Sequence, residues 1–225
     1  MVGARTRVVP VAALAALLVI ALFCAPRAGA ATFSNPAAIK MPNGEDFLPY
    51  PSVIAVSGQR GKVSRVRVTL RQVAHDNVGE VAALLASPTG ASALLLYSRC
   101  NGQNSETAPL TFTFDDAAPA ALPSSGPCVS GTYRTGSGIE SGFDVQFAYP
   151  APAQPNPGTF AGLTGSSPNG LWQLYMHDSV FFVAGEIAGG WSLDLTLTKP
   201  KCKKAKGKRA VAAKKKRCKK KRKKG

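Results

Sequence analysis

Short segments in which apolar residues recur at every second position fill residues 31–198, and they leave room for little except antiparallel β-structure. A strand turns successive side chains to opposite faces, so this alternation marks one buried and one wet face. The clearest case is Arg65–Arg71, with Val66, Val68 and Leu70 on one face and Arg65, Arg67, Thr69 and Arg71 on the other. Leu110, Phe112 and Phe114 alternate with Thr111 and Thr113, and Trp172, Leu174 and Met176 alternate with Gln173, Tyr175 and His177. Trp191, Leu193, Leu195 and Leu197 alternate with Ser192, Asp194, Thr196 and Thr198. Further strands are expected over Ser52–Val56, Glu80–Ala86, Ala93–Arg99, Gly131–Thr135 and Phe143–Tyr149, divided by Gly, Pro, Asn and Ser. Helical periodicity is nearly absent. Eight or nine strands in about 165 residues predict an all-β, jelly-roll β-sandwich. The stretch from Tyr149 to Pro157 carries Pro150, Pro152, Pro155 and Pro157, which lack the N–H a ladder needs, so it is expected to be an extended surface connection.

The formal net charge of +16 points to a polyanion partner until it is located along the chain. Seventeen of the 28 basic residues lie between Lys199 and Lys224, where there is no acid, and Arg5, Arg7 and Arg27 lie near the N-terminus. The remaining eight face all 12 acids, which makes residues 31–198 net −4. Three segments follow. Residues 1–30 read as a cleavable signal peptide: Arg5 and Arg7 precede an apolar run from Val8 to Phe23, and Ala28-Gly29-Ala30 supplies small residues for cleavage before Ala31. The run is shorter than the roughly 20 residues that span a bilayer, and Phe23 before Cys24 argues against a lipid-anchored variant. Residues 31–198 form the domain. Residues 199–225 hold almost nothing apolar to bury and are expected to be disordered.

Cys24 leaves with the leader, so four cysteines remain in an exported chain, where disulfides form and persist. Cys100 and Cys128 lie in the domain, and Cys202 and Cys218 lie in the tail. The simplest pairing joins Cys100 to Cys128 as a structural bridge. A zinc site is the rival, but it would want the tighter CxxC spacing that this chain lacks.

The chain has no GxSxG elbow, no HExxH and no glycine-rich phosphate loop. Its two histidines occur as His75-Asp76 and His177-Asp178. An imidazole oriented by a carboxylate could serve a metal or a hydrolytic nucleophile. Adjacent strand residues point to opposite faces, however, so neither aspartate is placed to orient its own neighbour. Polar residues at strand ends are the plainer reading. Asp76, Glu80, Asp115, Asp116 and Asp178 fall at or near predicted strand ends, where loop carboxylates could hold calcium, although no DxDxDG loop is present.

Over residues 33–198 the sequence resembles the P domain (Homo B domain) that follows the catalytic domain of proprotein convertases and exported bacterial subtilisin-like proteases. The residues that carry the resemblance are Tyr50-Pro-Ser-Val-Ile-Ala-Val-Ser-Gly58, Val66-Arg-Val-Thr-Leu70, His75, Leu84-Leu-Ala-Ser-Pro-Thr-Gly90 and Leu110-Thr-Phe-Thr-Phe-Asp-Asp116. Gly131-Thr-Tyr133, Phe160-Ala-Gly162, Pro168-Asn-Gly-Leu-Trp-Gln-Leu-Tyr175, Asp178 and the closing Gly185-Glu-Ile-Ala-Gly-Gly-Trp-Ser-Leu193 continue it. The resemblance implies a jelly-roll sandwich with both tryptophans in its core. It also implies calcium at loop carboxylates, with Asp178 as the first choice of ligand and Glu80 and Asp76 after it. Glu80-Val81 departs from the Asp-Leu that the family commonly has at this point, so any ligand there is a longer carboxylate. A subtilisin-like domain is too large for the stretch between Ala31 and Ser52, so the family's protease activity is not expected to carry over. The expected protein is an exported, non-catalytic binding or accessory module. The alternatives are a detached domain that assists a separate subtilisin-like serine endopeptidase, and a hydrolase built on the His-Asp pairs.

For the tail, the basic residues Lys203, Lys204, Lys214, Lys215, Lys216, Lys219, Lys220 and Lys221 suit phosphate-rich polymers, because each phosphate contact releases counterions. No aromatics are interleaved to stack on bases, so nucleic acid is the weaker choice, although extracellular DNA stays open. Cell-envelope polymers and anionic lipid head groups are the preferred partners, at about 1 kcal/mol per basic residue near such a surface. A merely solubilising tail is the competing expectation.

Overall fold

A computed structural model describes residues 29–41, 47–96, 100, 109–136, 145–153, 158–180 and 183–198. The signal peptide expected over residues 1–30 therefore lies almost wholly outside the described residues. So do the tail, with its lysines and Cys202 and Cys218, and Cys24.

The strands are β1 Gly29–Asn35, β2 Ile39–Met41, β3 Ser52–Val56, β4 Lys62–His75, β5 Val81–Ala86, β6 Ser92–Leu96, β7 Leu110–Phe114, β8 Gly131–Tyr133, β9 Gly170–Asp178, β10 Gly185–Ile187 and β11 Trp191–Thr198. The larger sheet runs β1-β11-β4-β10-β2, with β7 also paired to β4 and β8 added parallel to β7. The smaller sheet is antiparallel, in the order β3-β9-β5-β6. The two pack face to face as a β-sandwich, in agreement with the all-β expectation. Among the described residues the only helical pieces are 3-10 turns at Val78–Glu80 and Phe160–Leu163.

The alternation drives this assembly. Val66, Val68 and Leu70 of β4 are buried together with Phe112 and Phe114 of β7 and with Leu193 and Leu195 of β11. From the opposite sheet Ile54, Ala83, Leu85, Trp172 and Leu174 enter the same core. Trp172 and Trp191 are fully buried, and each places its indole N–H: Trp172 donates to the Pro168 carbonyl at 2.9 Å and Trp191 to the Ser52 hydroxyl at 3.0 Å. A buried indole needs such an acceptor.

β4 is the spine of the larger sheet, and it changes phase near its end. Its register to β7 shifts between Leu70 and Val73, and Gln72 has φ 57°. Arg71 and Gln72 form a bulge, an extra residue that reverses the parity of everything after it. The turn joining β10 to β11 fills the bulge. Ala188 N–H donates to the Gln72 carbonyl at 3.1 Å, Gly189 N–H to the Arg71 carbonyl at 3.0 Å, and Arg71 N–H to the Gly190 carbonyl at 3.0 Å. Gly190 has φ 61°, and a Cβ there would lie 2.1 Å from the Asn35 carbonyl oxygen, so only glycine fits. This accounts physically for Gly189-Gly190 before Trp191.

Several expectations need correction. Residues 145–149 form no strand; Phe147, Tyr50 and Ala151 instead cover the outer face of the smaller sheet, over Leu84, Ala86, Leu94 and Tyr175. Tyr50 and Tyr175 meet edge to face at 5.1 Å, and their hydroxyls donate to the carbonyls of Ala148 and Pro150. β5 and β6 are consequently buried at every position. Glu80 belongs to the 3-10 turn and not to β5; of the strand expected over Ala93–Arg99, residues 97–99 lie outside the described residues. Strands β1, β2 and β10 were not expected. The predicted cleavage point before Ala31 falls inside β1, where Ala31–Asn35 pair with β11.

Candidate functional site

The parity of two strands brings one histidine and one aspartate together. On β9 Trp172, Leu174, Met176 and Asp178 are buried in one phase, and His177 takes the other face, 6.2 Å from the Phe147 ring. On β4 the bulge turns Val73 and His75 inward and leaves Asp76 exposed beyond the strand end. The adjacent pairs His75-Asp76 and His177-Asp178 are thus split, as strand geometry requires, and a cross pair forms between the sheets. His75 Nε2 lies 3.0 Å from Asp178 Oδ2, with side chains 1% and 0% exposed.

The turn after β4 completes the cluster. Asn77 caps the 3-10 turn by accepting from Gly79 N–H, and its Nδ2 donates to Glu80 Oε1 at 2.7 Å. His75 Nδ1 lies 2.8 Å from the Asn77 carbonyl oxygen, to which it can only donate, and 3.1 Å from the Asn77 N–H, from which it can only accept, so one of the two contacts holds in each tautomer. Asp178 Oδ1 accepts from Val180 N–H at 2.9 Å. One atom from each of His75, Glu80 and Asp178 lies within 4.8 Å of the others. Glu80 Oε2 is buried and has no hydrogen-bond partner. Burial disfavours the charged imidazole, but the hydrogen bond and charge of Asp178, the Asn77 carbonyl and the charge of Glu80 outweigh it, and the His75 pKa is raised. Gly185 on β10 makes room for the ring, since a Cβ there would sit 2.4 Å from His75 Cδ2.

Of the residues named from sequence, Asp178 and Glu80 converge. Asp76 does not: it lines a neighbouring cleft of about 370 Å³ together with Lys40, Met41, His75, Gly185 and Glu186. Sequence reasoning considered His75 only beside Asp76 and did not place it with Asp178 and Glu80. The calcium implied by the P-domain resemblance suits this donor set poorly. Calcium takes six to eight oxygens, whereas here one ligand is nitrogen and the two carboxylates offer four oxygens at most.

Asp115 and Asp116 serve the frame. Asp115, 2% exposed, accepts from Arg65 Nε at 3.1 Å and Nη2 at 2.6 Å, from Arg67 Nε at 3.1 Å and Nη2 at 2.9 Å, and from Ala117 N–H at 3.1 Å. Burial raises its pKa, but the hydrogen bonds from Arg65, Ala117 and Arg67 and the charge of Arg65 more than offset this, and the net shift is downward. Asp116 accepts from Phe160 N–H at 2.8 Å and from the Thr135 hydroxyl. Cys100 and Cys128 form a disulfide.

No protein-family model matches the chain. No curated protein matches it either. Among solved structures it is similar to the crystal structure of the Aeromonas sobria serine protease (ASP) in complex with the chaperone (ORF2), at 14% identity and a TM-score of 0.37. The match covers 76% of this chain and 27% of the matched one, so this chain spans about a quarter of that length.

Proposed function

We propose that this protein is an exported, non-catalytic binding or accessory module of the P/Homo B type, retained at an anionic surface by residues 199–225. The observation that carries the non-catalytic reading is the state of His75. Its ring is engaged at both nitrogens, its side chain is 1% exposed, and it ties the two sheets together. A general base must reach a substrate proton, and both nitrogens of this imidazole are already engaged within the fold. His177 stands on the other face, against Phe147. The Cys100–Cys128 disulfide suits an oxidising compartment, in keeping with export.

The tail reading is tested by sedimentation with vesicles containing phosphatidylserine, comparing the full chain with a truncation after Thr198. Loss of low-salt binding on truncation, with the domain's melting temperature nearly unchanged, supports retention by the tail; equal binding of the truncated form refutes it. Assistance to a separate subtilisin-like endopeptidase is the second reading, motivated by the residues shared with P domains. Stoichiometric co-purification with such a protease from the native envelope would favour it over free binding.

A further inference from the structure

We propose that His75, Glu80 and Asp178 form a binding site for a zinc-like divalent cation that staples the two sheets of the sandwich. In the tautomer whose Nδ1 donates to the Asn77 carbonyl, His75 Nε2 carries a lone pair and faces Asp178 Oδ2, 3.0 Å away. A neutral ring in that tautomer would set a lone pair against a carboxylate oxygen, so a positive centre belongs between them. A proton on Nε2 satisfies Asp178 but leaves Glu80 Oε2, buried and without a partner, unserved. A divalent ion serves all three atoms at once.

The donor chemistry selects the class. Imidazole nitrogen with carboxylate oxygens suits zinc and its first-row neighbours and not calcium. Three ligands each about 2.1 Å from one ion stand roughly 3.5–4.2 Å apart; the three atoms lie within 4.8 Å of one another, and the 3.0 Å contact between His75 and Asp178 would open by about 0.5 Å to admit the ion. The supporting contacts are those that orient metal ligands. The second ring nitrogen of His75 is held by a backbone carbonyl, and Asn77 Nδ2 fixes Glu80 Oε1 while Oε2 stays available. The cleft lined by His75, Lys40, Asp76 and Glu186 offers an approach from solvent. His75 comes from the larger sheet, Asp178 from the smaller, and Glu80 from the turn that joins β4 to β5, so the ion would hold together elements far apart in sequence.

The test uses the full chain carrying Cys202→Ser and Cys218→Ser, so that tail thiols do not compete, after chelator treatment. Titration with zinc chloride should show one site by calorimetry. It should also raise the melting temperature by about 5–10 °C at a hundredfold excess over Kd. Asp178→Asn and Glu80→Gln should both abolish the zinc response. Glu80→Gln is the decisive variant, because it keeps the shape of the side chain and the metal-free melting temperature should stay within about 2 °C of the parent. A zinc response that survives in Glu80→Gln, no zinc response in the parent, or a response to calcium alone would each overturn the proposal.

Discussion

Replacing Asp115 by Asn removes one charge from a nearly isosteric side chain, and the structure sets the size of the effect. Asp115 is 2% exposed and accepts five hydrogen bonds, four of them from Arg65 and Arg67. A hydrogen bond to a charged group contributes about 1.5–3 kcal/mol, and breaking a fully buried pair costs about 3–5 kcal/mol. The arginine side chains, however, are 50% and 45% exposed and regain water when the carboxylate charge is lost. The expected cost is therefore about 2–3 kcal/mol at pH 7, or about 5–10 °C in Tm for a domain of this size. Arg65→Ala and Arg67→Ala should each cost about 1 kcal/mol, because each leaves the other guanidinium in place and starts half exposed. Urea unfolding at matched m-values measures all three. The sign with pH is fixed by the lowered pKa: the stabilisation is complete above the ordinary carboxylate value of 3.8 and is lost as pH falls through the lower folded value. The gap between parent and Asp115→Asn should hold constant from pH 7 to about 5 and narrow below about 4. A gap that persists unchanged to pH 2.5, or a variant as stable as the parent at pH 7, would refute this account of the cluster.

Two further perturbations address the frame. Cys100 and Cys128 close a loop with a sequence separation of 28, so the Cys100→Ala/Cys128→Ala variant should lose about 3.5 kcal/mol on chain-entropy grounds, and reduction of the parent should give the same loss by calorimetry. Gly185→Ala would press its Cβ to 2.4 Å from the His75 ring; it should cost about 1–3 kcal/mol by overpacking, with the His75 ring resonances shifted in NMR spectra.

The legible part of the fold was the part in which one face is dry and the other wet. β4, β7, β9 and β11 all alternate, and all four were found from sequence. Ile39–Met41 and Gly185–Ile187 are three residues long, too short for a period to register, and Gly29–Asn35 is a half-exposed edge whose small residues read as a cleavage site. Val145, Phe147 and Tyr149 mimic a strand, yet Phe147 packs on an already formed sheet and Tyr149 is 95% exposed. Local alternation does not distinguish pairing with a sheet from lying across one.

The site divides along the same line. Asp178 keeps the phase of Trp172, Leu174 and Met176, so its inward direction was readable from β9 alone, and an acid in phase with a core is itself a signal because burial demands a partner. His75 offered no such signal. Counted from Val66, Val68 and Leu70, simple alternation turns His75 outward; it points inward because Gln72 adopts φ 57° and Arg71-Gln72 bulge toward the Ala188–Gly190 turn. Glutamine has no special preference for that conformation, so the bulge arises from the pairing of β4 with β11 and β10 in succession, a property of the whole sheet. The cue that remained local is Gly189-Gly190, since two glycines ahead of a core tryptophan mark a turn pressed by its neighbours: Gly189 lies against β4 at Arg71 and Gly190 against the Asn35 carbonyl at the end of β1.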